Sequence, residues 1–410
     1  MQGMGSSHHA KAYLTGLLGD SRKKYIERIE EAVEDSDYEG IQHFLSNSTW
    51  DHSEVMKHVE QDVNRLLGGN RNSALYIDES GFTKKGKSSV GVQRQWNGRL
   101  GKVDNCQCGV FASLGCGKNA SLVNFRLYLP ESWTTDKDKC LKAKVPEDEI
   151  VFKTKIELAL ELIDDSIERK TEFQWIGADS FYGSSSDFLN GIESRGLDFV
   201  CDIRKNHELL VDGEKEFQQV EKIAIKHFCL LRENINVRPS TTGCVQTESC
   251  IMDVKRKGKD GNIDCVLIIS RDQGGSFKYT LTNRLDKTLQ ENVYRQHQRF
   301  WIEFNFKEAK SDIGMAQYQL RGWIGWHHHI CMSCLALLFV TEEKIKLGDD
   351  CPLLSASDIT ELLSYYFPSK KKSEDEVHKQ LLSRHKKRYS DMFSKGRKKG
   401  APIDDLYLPK

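Results

Sequence analysis

Arg299, Glu303 and Lys310 follow one another at spacings of four and seven residues. At about 100° per residue these steps return to one side of a helix, so the three side chains project within roughly 40–60° of one another. Alone, an Arg–Glu pair four apart is most often a solvent-exposed ion pair of little consequence. Two aspartates change its weight. Asp78 closes the apolar run LYID and Asp179 closes FQWIGAD, both short β-like segments that end on an acid. If the two runs are neighbours in one sheet, the helix carrying Glu303 can bring a third carboxylate over them. Three carboxylates in one place repel each other, and a chain tolerates them most readily around divalent cations. Hard oxygen ligands suit Mg²⁺, with Mn²⁺ as a substitute. Two such ions ~4 Å apart can activate a water or a 3′-hydroxyl on one side of a phosphodiester while stabilising the leaving oxygen on the other.

The elements that would position these residues can be read from the hydrophobic pattern. The first seventy residues predict helices over Lys11–Leu18, Tyr25–Val33, Tyr38–Leu45 and Ser53–Leu67, with Ser53 as N-cap and Gly68-Gly69 as the stop. LYID, NCQCGVFASL and SLVNFRLYL then predict a three-strand meander, followed by a helix over Lys153–Ile167, the strand FQWIGADS, a helix over Gly183–Ser194 and the strand LDFVCDI. The order β-β-β-α-β-α-β with an acid ending the first and fourth strands is that expected of a ribonuclease-H-like core, a mixed β-sheet flanked by helices. Short alternating runs between Asn206 and Asp286 predict a β-rich insertion. One long helix from about Leu289 to Lys310 and a more apolar helix over Trp323–Val340 follow. The fold class is thus α/β, organised as an N-terminal helical domain (1–72), the first part of the core (73–205), the insertion (206–286), the rest of the core (287–345) and a basic C-terminal region (346–410).

Composition narrows the setting. Four hundred and ten residues suffice for two or three domains, and 29% charged residues describe an ordinary globular chain. The longest apolar run, ICMSCLALLFV, is shorter than the ~18 residues a membrane span needs, and the first twenty residues hold no signal-peptide core, which points to the cytoplasm. Twelve cysteines are too sparse for a disulfide scaffold and read as reduced thiols. Cys106/Cys108 and Cys331/Cys334, the latter beside His327–His329, raise zinc, but half-buried packing is the better reading. Lysine plus arginine equals aspartate plus glutamate at 60 each, yet the charge is locally uneven. Lys84–Lys102 holds six basic residues and no acid, and Lys370–Lys399 holds twelve against four. Nucleic acid is the partner that would best use both stretches, with Lys84, Lys85 and Lys87 as phosphate contacts close after Asp78.

The residues quoted above, together with YIDESGFTKKGKSSVGVQRQWNGRLGKVDNCQ, LYLPESW, WIGADSFYG and RFWIEFNFKEAKSDIGMAQYQLRGWIGWH, make the chain similar to bacterial insertion-sequence transposases of the DDE type. In these the last acid sits in a Tyr-x2-Arg-x3-Glu-x6-Lys signature and a β-domain interrupts the core. The resemblance spans nearly the whole chain. It implies that Asp78, Asp179 and Glu303 are the catalytic acids and hold two Mg²⁺ ions, and that Arg299 and Lys310 contact DNA phosphates. Glu79 stands where relatives often have a second Asp. The resemblance further implies double-stranded DNA as partner, both element ends and target, a homodimer in the synaptic complex, a nucleoid-associated location and cut-and-paste transposition. Gln296 replaces the signature tyrosine, the nearest tyrosine being Tyr294. Some relatives hold a flipped base on a tryptophan of the insertion during hairpin formation; here no tryptophan lies between Asn206 and Asp286, leaving Phe217, Phe228, Phe277 or Tyr279. The rival expectations are a catalytically inactive DNA-binding regulator and a host nuclease of the same fold.

Overall fold

The protein is described by a computed structural model covering residues 2–394, apart from 20, 241, 242, 260, 349, 352, 368, 369, 371 and 372. The C-terminal part of the 346–410 region therefore lies outside the described residues. Helices α1 (Gln2–Leu18), α2 (Ile26–Ala32), α3 (Tyr38–Ser46) and α4 (His52–Leu67) open the chain. The cap of α4 is Asp51 rather than Ser53: its carboxylate accepts from both the backbone and the hydroxyl of Ser53. Asp51 is the better acceptor because it is ionised and sits one residue ahead of the first helical turn.

Strands β1 (Ser73–Thr83), β2 (Gln93–Asn97), β3 (Lys102–Cys116) and β4 (Asn119–Leu127) follow. Short helices α5 (Glu131–Thr134) and α6 (Lys137–Lys142) lead to α7 (Lys155–Glu168), whose start is fixed by a capping box between Thr154 and Glu157. Next come β5 (Trp175–Ala178), α8 (Ser180–Gly183), α9 (Ser186–Ser194) and β6 (Phe199–Asp202). β1 and β3 are antiparallel and β4 lies on the other side of β3, whereas β1, β5 and β6 run parallel. Every residue of β5 and β6 is buried, as expected of parallel strands covered on both faces, and this explains their unbroken apolar sequences.

The stretch from 206 to 286 contains β7 (Glu208–Val211), β8 (Gln218–Gln219), helix α10 (Val220–Leu231), β9 (Glu233–Ser240), β10 (Gly243–Lys257), β11 (Asn262–Arg271) and β12 (Phe277–Thr282). Most of its elements are strands, and α10 was not foreseen. Val220, Ile223, Ala224 and Phe228 form its buried stripe at helical spacing. β12 pairs with β6, so these strands extend the same mixed sheet instead of forming a separate one. The expected long helix is interrupted at Arg299, giving α11 (Leu289–Gln298) and α12 (Phe300–Ser311). A tighter bond from Ile302 N–H to the Arg299 carbonyl marks the join.

Helix α13 (Trp323–Lys346) is long and apolar enough by composition to cross a membrane, yet most of it is buried inside the fold against α4 and β4. His327, His328 and His329 are buried on it and bond to the carbonyls of Trp323, Trp50 and Met315. Cys331 and Cys334 are equally buried. Helices α14 (Ala356–Tyr366) and α15 (Glu374–Ser394) complete the described chain. Part of the basic charge of α15 and its lead-in is satisfied within the fold: Lys370, Arg384 and Lys387 pair with Glu30, Glu31 and Glu27 of α2.

Candidate active site

Three neighbouring parallel strands carry an aspartate at one level, although β1 does not stop at Asp78 as its apolar run suggested but continues, paired with β3, to Thr83. Ile77 of β1 pairs with Ala178 of β5, and Ala178 pairs with Cys201 of β6. The following residues, Asp78, Asp179 and Asp202, therefore form a row at the carboxyl ends of β5 and β6, a common place for the working groups of α/β sheets. Asp179 leaves β5 to cap α8, accepting from the backbone N–H groups of Phe181 and Tyr182 at 2.9 and 3.4 Å. The cap turn can nest against β6 because Gly183 has no side chain; a Cβ there would run into the Asp202 carbonyl oxygen.

A cavity of about 740 Å³ opens over this row. Asp78, Asp179 and Glu303 line it together with Arg299 and Lys310, so the structure brings the five signature residues into one place. Lys310 directs its ammonium to the carbonyl of Gly81 at 3.4 Å. Glu79, also in the lining, is anchored by Lys155 at 2.9 Å and by the Tyr182 hydroxyl at 3.3 Å. Burial, together with the neighbouring Asp179, drives the Asp78 carboxyl well above the usual carboxylate range even though Arg299 acts in the opposite direction. Asp179 is raised by the same burial and by Glu79. The site is therefore short of positive charge.

What positive charge it has comes from Arg299. This side chain is only 18% exposed and reaches three acids: Asp202 at 2.9 Å, Glu303 at 2.6 Å and Asp78 at 3.7 Å. Glu303, by contrast, is 55% exposed and turned toward the guanidinium. The oxygen donors have the chemistry a hard divalent cation requires. Among the described residues, however, no three acids, histidines or cysteines are grouped as a metal site, and Arg299 contacts both Asp78 and Glu303.

Lys84, Lys85 and Lys87 do not line this cavity. Lys84 is packed over the ring of Tyr318 at 3.3 Å, and burial lowers its ammonium to about 7. Lys85 and Lys87 are exposed. Lys87 borders a different cavity of about 660 Å³ with Lys139, Lys142 and Arg321. Phe228, Phe277 and Tyr279 pack on one another and are also absent from the acid-lined wall. Trp96 is present there and 57% exposed.

The sequence reading missed Asp202. Its signal was a third apolar strand ending on an acid, VCD after YID and GAD, but only the register shows that the three are level. Gln296 is also placed: it is buried on α11 and bonded to Ser270 and Thr280, not directed to the surface as a backbone contact would be.

A family model described as DDE superfamily endonuclease matches residues 1–223, more than half of the chain and including Asp78 and Asp179. The chain belongs to the DDE superfamily of endonucleases. A probable transposase for insertion sequence element IS701 from Microchaete diplosiphon is 27% identical over 322 residues, covering 77% of each chain. This DDE endonuclease is thus of the insertion-sequence transposase type, as its sequence motifs imply.

Proposed function

We propose that this transposase binds the terminal inverted repeats of its own insertion sequence, cleaves there with Mg²⁺ and joins the freed 3′-hydroxyls to target DNA in cut-and-paste transposition. The observation that carries the reading is the single cavity lined by Asp78, Asp179, Glu303, Arg299 and Lys310, with Asp78 and Asp179 level on adjacent parallel strands. The antiparallel β4-β3-β1 and parallel β1-β5-β6 arrangement supports a ribonuclease-H-like core, extended through β12 by the inserted strands.

In this reading Asp78, Asp179 and Glu303 would hold the divalent ions, two per site, with Mn²⁺ able to substitute. Ions bound there would supply a more acidic water or 3′-hydroxyl and neutralise charge on the leaving oxygen. The protein's own part is to fix Asp78 through the Glu79 N–H, fix Asp179 as the cap of α8, and let Glu303 swing from Arg299 toward the other acids. Lys310 in the cavity wall, with Arg299 once Glu303 has turned away, is suited to DNA phosphate. Lys85 and Lys87 are exposed for the same task, whereas Lys84 is held by Tyr318. The N-terminal helices 1–72 are the proposed end-binding domain, the active assembly a homodimer on two ends, and the location the nucleoid.

Purified protein incubated with Mg²⁺ and DNA carrying the element's ends tests this. The expected result is cleavage confined to the ends. Binding without any cleavage would identify an inactive regulator, and equal cutting of DNA lacking those ends a general nuclease.

A further inference from the structure

Resting on that reading, we propose that Asp202 is a positioning residue that holds Arg299 in check, drawing the guanidinium's charge away from Asp78 and Glu303 so that these acids remain available to a divalent cation. Asp202 lines up with the catalytic pair but does not line the cavity. It is 9% exposed and almost fully engaged. One oxygen takes Arg299 Nε at 2.9 Å and faces the Lys278 ammonium at 3.4 Å, and the other accepts from the Thr280 hydroxyl at 2.6 Å.

The contact continues into the inserted strands. Thr280 accepts from the Gln296 amide at 2.9 Å, and Gln296 accepts from the Ser270 hydroxyl at 2.5 Å. Ser270 in turn meets Ser249 at 2.8 Å. Ser249, Ser270, Thr280 and Gln296 are all buried, and a buried polar chain with every link made has one preferred arrangement. Its end point is the guanidinium that contacts both Asp78 and Glu303. Arg299 is thus a cation already present at the acids, and Asp202 is the carboxylate that competes for it. Gln296, which departs from the family signature, is a link in this chain.

The charge balance around Arg299 gives signs that a purely structural role does not. Removing the Asp202 charge leaves Arg299 to the catalytic acids, so an incoming cation meets stronger competition. Neutralising Arg299 removes the competition. Two neutral residues together should restore the balance. Binding of Mn²⁺ alone to the full-length protein, read from the electron paramagnetic resonance signal of the free ion, tests this. Asp202→Asn is expected to weaken binding by about tenfold, the scale of one partly screened charge a few ångströms away. Arg299→Gln is expected to tighten it, and the double variant to bind at least as well as the wild type. Thermal unfolding checks that each variant is folded, and the sign for Arg299→Gln tests whether the guanidinium competes with the cation even if Asp202→Asn does not fold. Unchanged binding in folded Asp202→Asn, or weaker binding in Arg299→Gln, would overturn the inference. Asp78→Asn serves as the reference for the site. If wild-type Mn²⁺ binding survived that change, the reading of the acids as the metal site would fall, and this inference with it.

Discussion

Asp78 and Asp179 each follow one member of the Ile77–Ala178 pair that joins two parallel strands, and this register sets two half-buried carboxylates side by side. Burial raises both above the usual carboxylate range, with Asp179 adding to the rise at Asp78 and Glu79 to that at Asp179. An acid raised in the folded state costs stability once the pH exceeds its unfolded value, and the cost is complete above the folded value. Asp78→Asn is therefore expected to stabilise the cation-free protein at pH 8, by about 1–2 kcal/mol, while abolishing cleavage. Urea unfolding in the presence of a chelator measures this; a clear loss of stability would show that Arg299 more than compensates the burial.

Histidines that the sequence left between zinc and packing give a second prediction. His329 accepts from the Tyr13 hydroxyl at 2.7 Å through Nδ1 and donates to the Met315 carbonyl at 3.0 Å through Nε2, which fixes a neutral ring. Burial lowers it to about 4. The unfolded chain takes up a proton near pH 6.5 and the folded one only near 4, so stability falls as the pH drops between these values. The cost is about 1.4 kcal/mol per pH unit for each such ring. His329→Gln should flatten the slope of unfolding free energy between pH 6.5 and 4.5 by about that amount, whatever it does to stability at pH 8. An unchanged slope would mean that His329 does not set it.

Glu60 on α4 is 1% exposed and joins the N-terminal helices to the end of α7. It accepts from Ser166 at 2.8 Å and from Arg169 and Thr171 at 2.7 Å each. Glu60→Ala leaves three donors without their acceptor and should cost about 3 kcal/mol in urea unfolding. A loss below about 0.5 kcal/mol would show that water replaces the carboxylate.

Much of this was legible locally. Apolar runs closing on an acid marked Asp78 and Asp179, and helical spacing put Arg299, Glu303 and Lys310 on one face. What escaped depends on distant partners. Asp202 acquires its place only when β6 registers against β5, and Lys84 is taken inward by Tyr318, more than two hundred residues away. β2 was invisible because its residues, QRQWN, are mostly polar and supply no apolar run. The interruption at Arg299 leaves the helical spacing almost intact, so periodicity does not report it. α10 is a different case: its buried stripe was present in the sequence, inside a stretch dominated by β-like alternation.

Of the seven tryptophans, Trp96 is the exposed one, and it borders the acid-lined cavity. DNA entering that cavity should quench its fluorescence. Trp96→Phe should abolish the quenching with little change in affinity, and Trp96→Ala should weaken binding by about 1–3 kcal/mol if a base stacks there. Quenching that persists in Trp96→Phe would place the DNA elsewhere.

The most direct test concerns Glu303, which in the proposed reading leaves Arg299 to join the two aspartates. Wild-type protein and Glu303→Gln are compared on DNA carrying the element's ends, with Mg²⁺, measuring binding and strand transfer in the same samples. The account predicts equal binding, with strand transfer lowered about a thousandfold or more. Undiminished strand transfer by Glu303→Gln would contradict it.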